Sequence, residues 1–345
     1  QRLEAARAAR PHMKLVVVDP RRSPTAEVAD LHLPIRADGD VALFSGLARH
    51  LIAQGATDKA YVEAHTRGLG ALEAGVEAWT DEKVLADCGL ETWQLAEFFR
   101  LFTETERVVT VYSQGVNQSV SGTDKVNAIL NCHLLTGRIG REGMGPFSVT
   151  GQPNAMGGRE VGGLANQLAA HLELADPTHR QAVQDFWQSP VIADHDGLKA
   201  VELFDALAEG RIKALWIIHS NPAVTLPEAD LVRSAIQACD FTVVSDITAA
   251  TDTARLADVL LPAAAWAEKE GTVTNSDRTI SRQRAALPAP GQARPDWEIL
   301  AEVGRRMGWP QAFEYQTPAQ IFREHAALSG LAGSFGLDFD ISGLS

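Results

Sequence analysis

The chain has 345 residues, 45% of them hydrophobic, and a formal net charge of -13. That is more length than one domain usually needs, so two α/β domains are the starting expectation. The acidic balance argues against a nucleic-acid partner, which demands concentrated positive charge, and no apolar run reaches the ~18 residues of a membrane helix.

The first residue is Gln1, with no signal-like segment before the first element, which fits a mature or truncated start. Leu15-Val16-Val17-Val18 reads as a buried strand ending at Asp19-Pro20. Val41 to Gln54 reads as a helix, with apolar residues at 43, 44, 47, 48, 51 and 52 and Gly55 as its stop. Arg107 to Tyr112 is a second strand; Thr123 can cap a helix from Asp124 to Thr136, which Gly137 closes. From Gly137 to Gly163 there are nine glycines in 27 residues, read as a long ordered loop or a disordered linker. The alternation then resumes. Ala214 to Ile218 ends in His219-Ser220-Asn221-Pro222, Phe241 to Ser245 ends in Asp246, and Val259-Leu260-Leu261 ends in Pro262. Pro295 to Met307 is helical.

Strands alternating with helices imply a mainly parallel sheet. The boundaries are drawn at 1–148 for a first α/β domain, 149–287 for a second, and 288–345 for a helical segment leading towards a further domain. Cys88, Cys132 and Cys239 are far apart and make no CxxC pair, so they supply neither a cluster site nor a disulfide framework. Cys132 reads as a small buried hydrophobe, and Trp187 and Trp216 as core.

Several chemistries lose their support. No GxGxxG follows the first strand, and GxxxxGK[ST], HExxH and GxSxG are all missing. None of the ten histidines makes a close metal-ligand pair, and His219 shows no partner. What remains is a repeated design. Asp19-Pro20-Arg21-Arg22, Ser113 to Gln118, Asn221-Pro222 and Ser245-Asp246 all lie just beyond strands. Open α/β sheets bind ligands there. An aspartate can accept from a guanine edge or a ribose, and an arginine offers a fork to phosphate. Taken alone, any one of these aspartates is more often a turn former than a base reader.

Two longer stretches carry a resemblance. Tyr112 to Ser119 followed by Gly122-Thr123-Asp124-Lys125-Val126-Asn127-Ala128 resembles the molybdopterin oxidoreductases. Gly143 to Gly162, with Pro153-Asn154-Ala155-Met156-Gly157-Gly158-Arg159-Glu160 at its centre, resembles their assimilatory nitrate reductase branch. Glu268 to Arg278 and Pro290 to Trp297 continue the match, so the resemblance covers nearly the whole chain.

The resemblance implies two doubly wound, mainly parallel-sheet α/β domains holding a molybdenum bis-(molybdopterin guanine dinucleotide) cofactor between them. Asp19 and Arg21 would contact one guanosine diphosphate arm, with Asp38 and Asp40 at the next loop. Gln114 and Gln118 would face the pterin near the metal, Gln114 close enough to count with the catalytic residues. Asn221, Ser245 and Asp246 would hold the other nucleotide, with Lys269 and Asp296 completing that side. The chain departs from the family where Gln114 replaces a frequent Met and where Arg36 to Asp40 replaces a Pro-Gly-Thr-Asp form. No protein ligand to the metal is expected within this stretch.

Arg159 is the candidate for substrate, since nitrate is a planar anion whose oxygens match a guanidinium fork. The competing reading is that Arg159 pairs with a phosphate or with Glu160 and only holds the fold. Arg138 and Arg141 read as basic residues at a helix end. Arg278, Arg282 and Arg284 read as lining a cofactor funnel or as a solvated basic strand. The implied reaction is reduction of nitrate to nitrite by oxygen-atom transfer. Electrons would come from a ferredoxin, a flavodoxin or an NADH-linked reductase subunit, through a [4Fe-4S] cluster on an upstream segment. This stretch alone should then be inactive. The assimilatory likeness favours the cytoplasm. A formate dehydrogenase of the same family and a molybdenum-free scaffold homologue are the alternatives.

Overall fold

The computed structural model describes residues 2–345. The chain divides into two compact units, Gln1–Gly151 and Gln152–Ser345.

In the first unit, β1 (Val16–Val18) pairs in parallel with β2 (Leu31–Leu33), with Val16 opposite Leu31. A parallel pair needs a crossover. Here it includes the short helix Pro24–Glu27, whose N-cap Ser23 accepts from the Ala26 amide at 3.4 Å. After β2 the chain enters the helix Asp40–Ala53, which buries Leu43, Phe44, Leu47, Ala48 and Leu51. Those side chains recur every three or four residues, so they form one stripe. The stripe packs with Ala128, Ile129, Cys132 and Leu135 of the helix Gly122–Leu135. Burying each leucine contributes about 1.5–3 kcal/mol. The Cys132 thiol donates to Phe44 O at 3.2 Å, and burial pushes its pKa up, as a small core residue requires.

Helices Lys59–His65, Leu69–Val76, Asp81–Cys88 and Thr92–Glu104 occupy a stretch the periodicity had left unassigned. The last adds Leu95, Phe98, Phe99 and Phe102 to the core. Next comes β3 (Val109–Tyr112), paired in parallel with β4 (Gly145–Ser148). The helix between them starts two residues earlier than expected, at Gly122 rather than Asp124, and Thr123 is not its cap. Ser121 holds the N-cap position without a side-chain bond. The start is set by close approach instead: a Cβ on Gly122 would lie 2.4 Å from the Asn117 carbonyl oxygen.

In the second unit, β5 (Ala214–Ile218), β6 (Phe241–Asp246) and β7 (Val259–Pro262) form a parallel sheet in that order. Helices Ala200–Ala208 and Ala229–Ala238 cover it with Phe204, Leu207, Val232, Ala235 and Ile236. An antiparallel hairpin follows, β8 (Gly271–Thr274) with β9 (Ile280–Gln283). The glycine-rich segment is ordered. It forms β4 in the first unit and the helix Ala155–Glu160 in the second. Helices Asp296–Arg306 and Pro318–Ser329 close the chain, and a further core joins Leu172 and Val183 to Leu328 and Phe339. Trp187 is exposed rather than core, and Trp216 is half-buried. Among the described residues no helix is long and apolar enough to cross a membrane.

Candidate functional site

Arg159 lies in the last turn of the helix Ala155–Glu160. Its side chain is exposed and makes no hydrogen bond or ion pair among the described residues. The neighbouring Glu160 is buried and already engaged: its Oε2 accepts from Thr274 Oγ1 at 2.7 Å. Among the described residues Glu160 makes no ion pair with Arg159. At the other end of the helix, Asn154 is left-handed (φ 60), and its Oδ1 accepts from the Thr274 amide at 2.9 Å. Gly157 is required here, because a Cβ would fall 2.1 Å from Asn154 Oδ1.

The strand ends of the second unit bring together most of the residues expected there. Beyond β5, Asn221 Oδ1 accepts from Thr253 Oγ1 at 2.7 Å and from the Thr253 amide at 3.2 Å. Ser245 and Asp246 end β6, both buried. The Ser245 hydroxyl accepts from the Trp216 indole at 2.8 Å, while Asp246 Oδ1 holds the Thr248 amide at 3.4 Å. Past β7 the chain returns at Arg294, which bridges Ala263 in parallel. That return sets Asp296 at the start of the last-but-one helix, near the same sheet end.

Asp296 is shared by two partners. Lys269 Nζ lies 2.5 Å from Oδ2, and His219 Nε2 lies 2.5 Å from Oδ1. Burial would raise the Asp296 pKa, but hydrogen bonds and charge from Lys269 and His219 outweigh it and hold it below the usual range. His219 is the residue sequence reasoning missed. Its left-handed backbone (φ 51), directly before Ser220-Asn221, was invisible beforehand. Lys269 and Asp296 also line a cavity of about 330 Å³ with Asn154, Trp266, Gln283 and Trp297. Two indoles beside two carboxylates, Asp296 and Glu270, and one ammonium suit a flat, polar ligand that offers hydrogen-bond donors.

In the first unit, Asp19 follows β1 and its Oδ1 accepts from the Arg21 amide at 2.8 Å, while the Arg21 side chain is exposed. Asp38 (φ 66) and Asp40 follow β2 and converge on Lys125, a residue the strand-end pattern did not single out. Lys125 Nζ lies 2.7 Å from Asp38 Oδ1 and 3.1 Å from Asp40 Oδ2. Burial works against the ammonium, but bonds to both carboxylates keep its pKa above the ordinary lysine value. Asp38 still presents most of its side chain to solvent, whereas Asp40 is largely covered. Beyond β3, Gln114 Oε1 accepts from Ser113 Oγ at 2.8 Å, and its amide reaches Thr150 Oγ1 at 3.3 Å. Gln118 is exposed one turn later.

The other arginines resolve differently. Arg138 is buried against the carbonyl end of the helix Thr92–Glu104, not its own. Arg141 pairs with Asp58 at 3.0 Å. Arg282 is a solvated residue of β9 facing Glu270 at 3.4 Å.

Parallel strands that carry their polar residues at the carboxyl ends define an open-sheet α/β protein. The chain belongs to the molybdopterin oxidoreductase family, whose model matches residues 2–306. It is 48% identical over 345 residues to a nitrate reductase of Klebsiella oxytoca, covering 100% of this chain and 39% of that protein. It is 50% identical over 331 residues to a nitrate reductase of Shewanella frigidimarina, covering 95% of this chain and 35% of that one. The chain thus spans well under half the length of these relatives. Among solved structures, acetylene hydratase from Pelobacter acetylenicus superposes with a TM-score of 0.72 at 19% identity, over 95% of this chain and 48% of its own. That likeness shows the fold alone.

Proposed function

We propose that the full-length protein reduces nitrate to nitrite, with this chain supplying the substrate-binding arginine and much of the cofactor cradle. The observation that carries the reading is Arg159, whose guanidinium is exposed and unpaired on a helix fixed at both ends. A guanidinium fork matches two oxygens of a planar anion. The likeness to two nitrate reductases at 48% and 50% identity supports the same substrate.

The residues present fit a molybdenum bis-(molybdopterin guanine dinucleotide) cofactor. In the second unit, Asn221, Ser245, Asp246, Lys269 and Asp296 gather at one sheet end, and Lys269 and Asp296 line a cavity with two indoles. In the first, Asp19, Arg21, Asp38 and Asp40 follow β1 and β2, and Gln114 and Gln118 follow β3. Carboxylates would accept from guanine or ribose, and Arg21 and Lys269 would face phosphate. When bound, such a cofactor supplies the two electrons and the centre that receives the oxygen atom. Nitrate plus two electrons and two protons gives nitrite and water. Arg159 binds and orients the anion, and its charge draws nitrate in. Gln114 would offer its amide near the pterin.

A [4Fe-4S] cluster on another segment, fed by a ferredoxin, a flavodoxin or an NADH-linked subunit, would complete the electron path. The likeness to the assimilatory branch supports a cytoplasmic setting.

The test is nitrate-dependent oxidation of reduced viologen by the molybdenum-loaded full-length protein, with formate oxidation alongside. Nitrate turnover without formate activity is the expected result. Formate activity alone, or neither, refutes the substrate. In a nitrate-active enzyme, Arg159→Ala should raise the nitrate KM or abolish turnover at unchanged molybdenum content.

A further inference from the structure

We infer that Thr274 is a positioning residue for substrate, holding the Arg159 helix from both ends at once. The inference rests on the reading of Arg159 as the nitrate-binding residue.

The helix Ala155–Glu160 is poorly equipped to form alone. It has six residues, two of them glycine, at Gly157 and Gly158. Glycine opposes helix formation, and a helix this short does not recover the cost of its first turn. Its N-cap residue, Asn154, gives it no side-chain cap bond. That side chain is turned instead to the Thr274 amide. At the far end, Glu160 spends Oε2 on the Thr274 hydroxyl. One residue, 7% exposed at the end of β8, therefore supplies the external bond at each terminus. Its two partners are 120 and 114 residues away in sequence.

The hydroxyl has a second effect. By bonding Oε2 of Glu160 it holds the buried carboxylate of the adjoining residue toward β8 and away from Arg159. Thr274 does not touch substrate; it sets where the guanidinium stands and leaves its charge available.

Thr274→Val keeps shape and backbone amide but removes the hydroxyl, and Thr274→Ser keeps the hydroxyl. In the full-length molybdenum enzyme, Thr274→Val should raise the nitrate KM about tenfold, since small displacements of a binding group are costly. Its kcat should stay within about threefold, the split expected when mainly ground-state binding is lost. Thr274→Ser should return KM close to the wild-type value. The amides of Gly158 and Val161, bonded within the helix, should exchange with deuterium faster in the valine variant. Should that variant fail to accumulate, Thr274→Val with Glu160→Leu removes both partners, a change better tolerated than stranding one, and the same KM rise is expected. An unchanged KM in either variant, while Arg159→Ala raises it, overturns the inference. If Arg159→Ala leaves KM unchanged, it is the reading of Arg159 that fails. Exchange then decides the anchor: faster exchange keeps it, and unchanged exchange removes it.

Discussion

Arg138 Nη2 donates to the carbonyl of Phe102 at 2.9 Å, and the same guanidinium sits 4.6 Å over the Phe102 ring. It also reaches the carbonyls of Thr105 at 2.7 Å and Glu106 at 3.2 Å. One side chain thus satisfies the open end of a helix to which it does not belong. Burial lowers the Arg138 pKa, and no carboxylate compensates. Arg138→Lys loses the planar fork and brings one nitrogen where two, Nε and Nη2, now reach the carbonyls. It should destabilise the first unit by about 2 kcal/mol, and Arg138→Met by about 3 kcal/mol. The shift of the denaturant midpoint measures both, and equal stability of all three proteins would contradict the capping role.

His133 gives the pH dependence. It is fully buried, its Nε2 lies 2.8 Å from Thr110 Oγ1, and its ring meets Phe102 edge-on at 5.3 Å. Burial first, then the Arg138 charge, depress its pKa to about 4. The unfolded chain takes up this proton near the ordinary 6.5, and the folded one does so only near 4. Stability is therefore complete above pH 6.5 and falls as pH drops towards 4, by roughly 3 kcal/mol across the window. Comparing unfolding across that window in the wild type and His133→Gln tests it: the variant should show a flatter slope.

Lys125 neutralises two carboxylates from a position only 2% exposed. Lys125→Met fills the space but leaves Asp38 and Asp40 facing each other without a cation. Because Asp38 is largely solvated, the cost should fall below that of a fully buried broken pair, at about 2 kcal/mol. Replacing both aspartates with asparagine in the same background should recover part of it. Thermal unfolding of the wild type, the methionine variant and the triple variant reads this directly.

Gly157→Ala forces a Cβ to within 2.1 Å of Asn154 Oδ1. Asn154 must move and release the Thr274 amide. Nitrate turnover at low substrate should fall about tenfold or more, whereas Gly158→Ala, with open space at its Cβ, should be tolerated. Parallel kinetics on the two variants separate steric displacement from a general need for glycine.

Much of the sheet was readable in advance because buried parallel strands are continuous apolar runs. Ala214–Ile218 and Phe241–Asp246 stand out for that reason. The helices from Lys59 to Glu104 were missed. The Ala155–Glu160 helix could not be read because local propensity opposes it and distant bonds impose it. The site behaves the same way. Asp19, Asp40 and Asp296 could be singled out as acids beyond strands or by likeness. Lys125, His219 and Thr274 gain their roles from partners far along the chain, such as the 77 residues separating His219 from Asp296.

The parallel bridge between Ala263 and Arg294 has a consequence for how this protein can change. The chain leaves the sheet at one and rejoins it at the other, so everything between them is an excursion whose two ends are stapled together. Its base, at Lys269, and its inner strand, ending at Thr274, are tied to other parts of the unit. Its outer tip from Asn275 to Thr279 is bonded mainly to itself. A change of length or charge at that tip would alter the outer rim of the hairpin while the sheet beneath keeps its register.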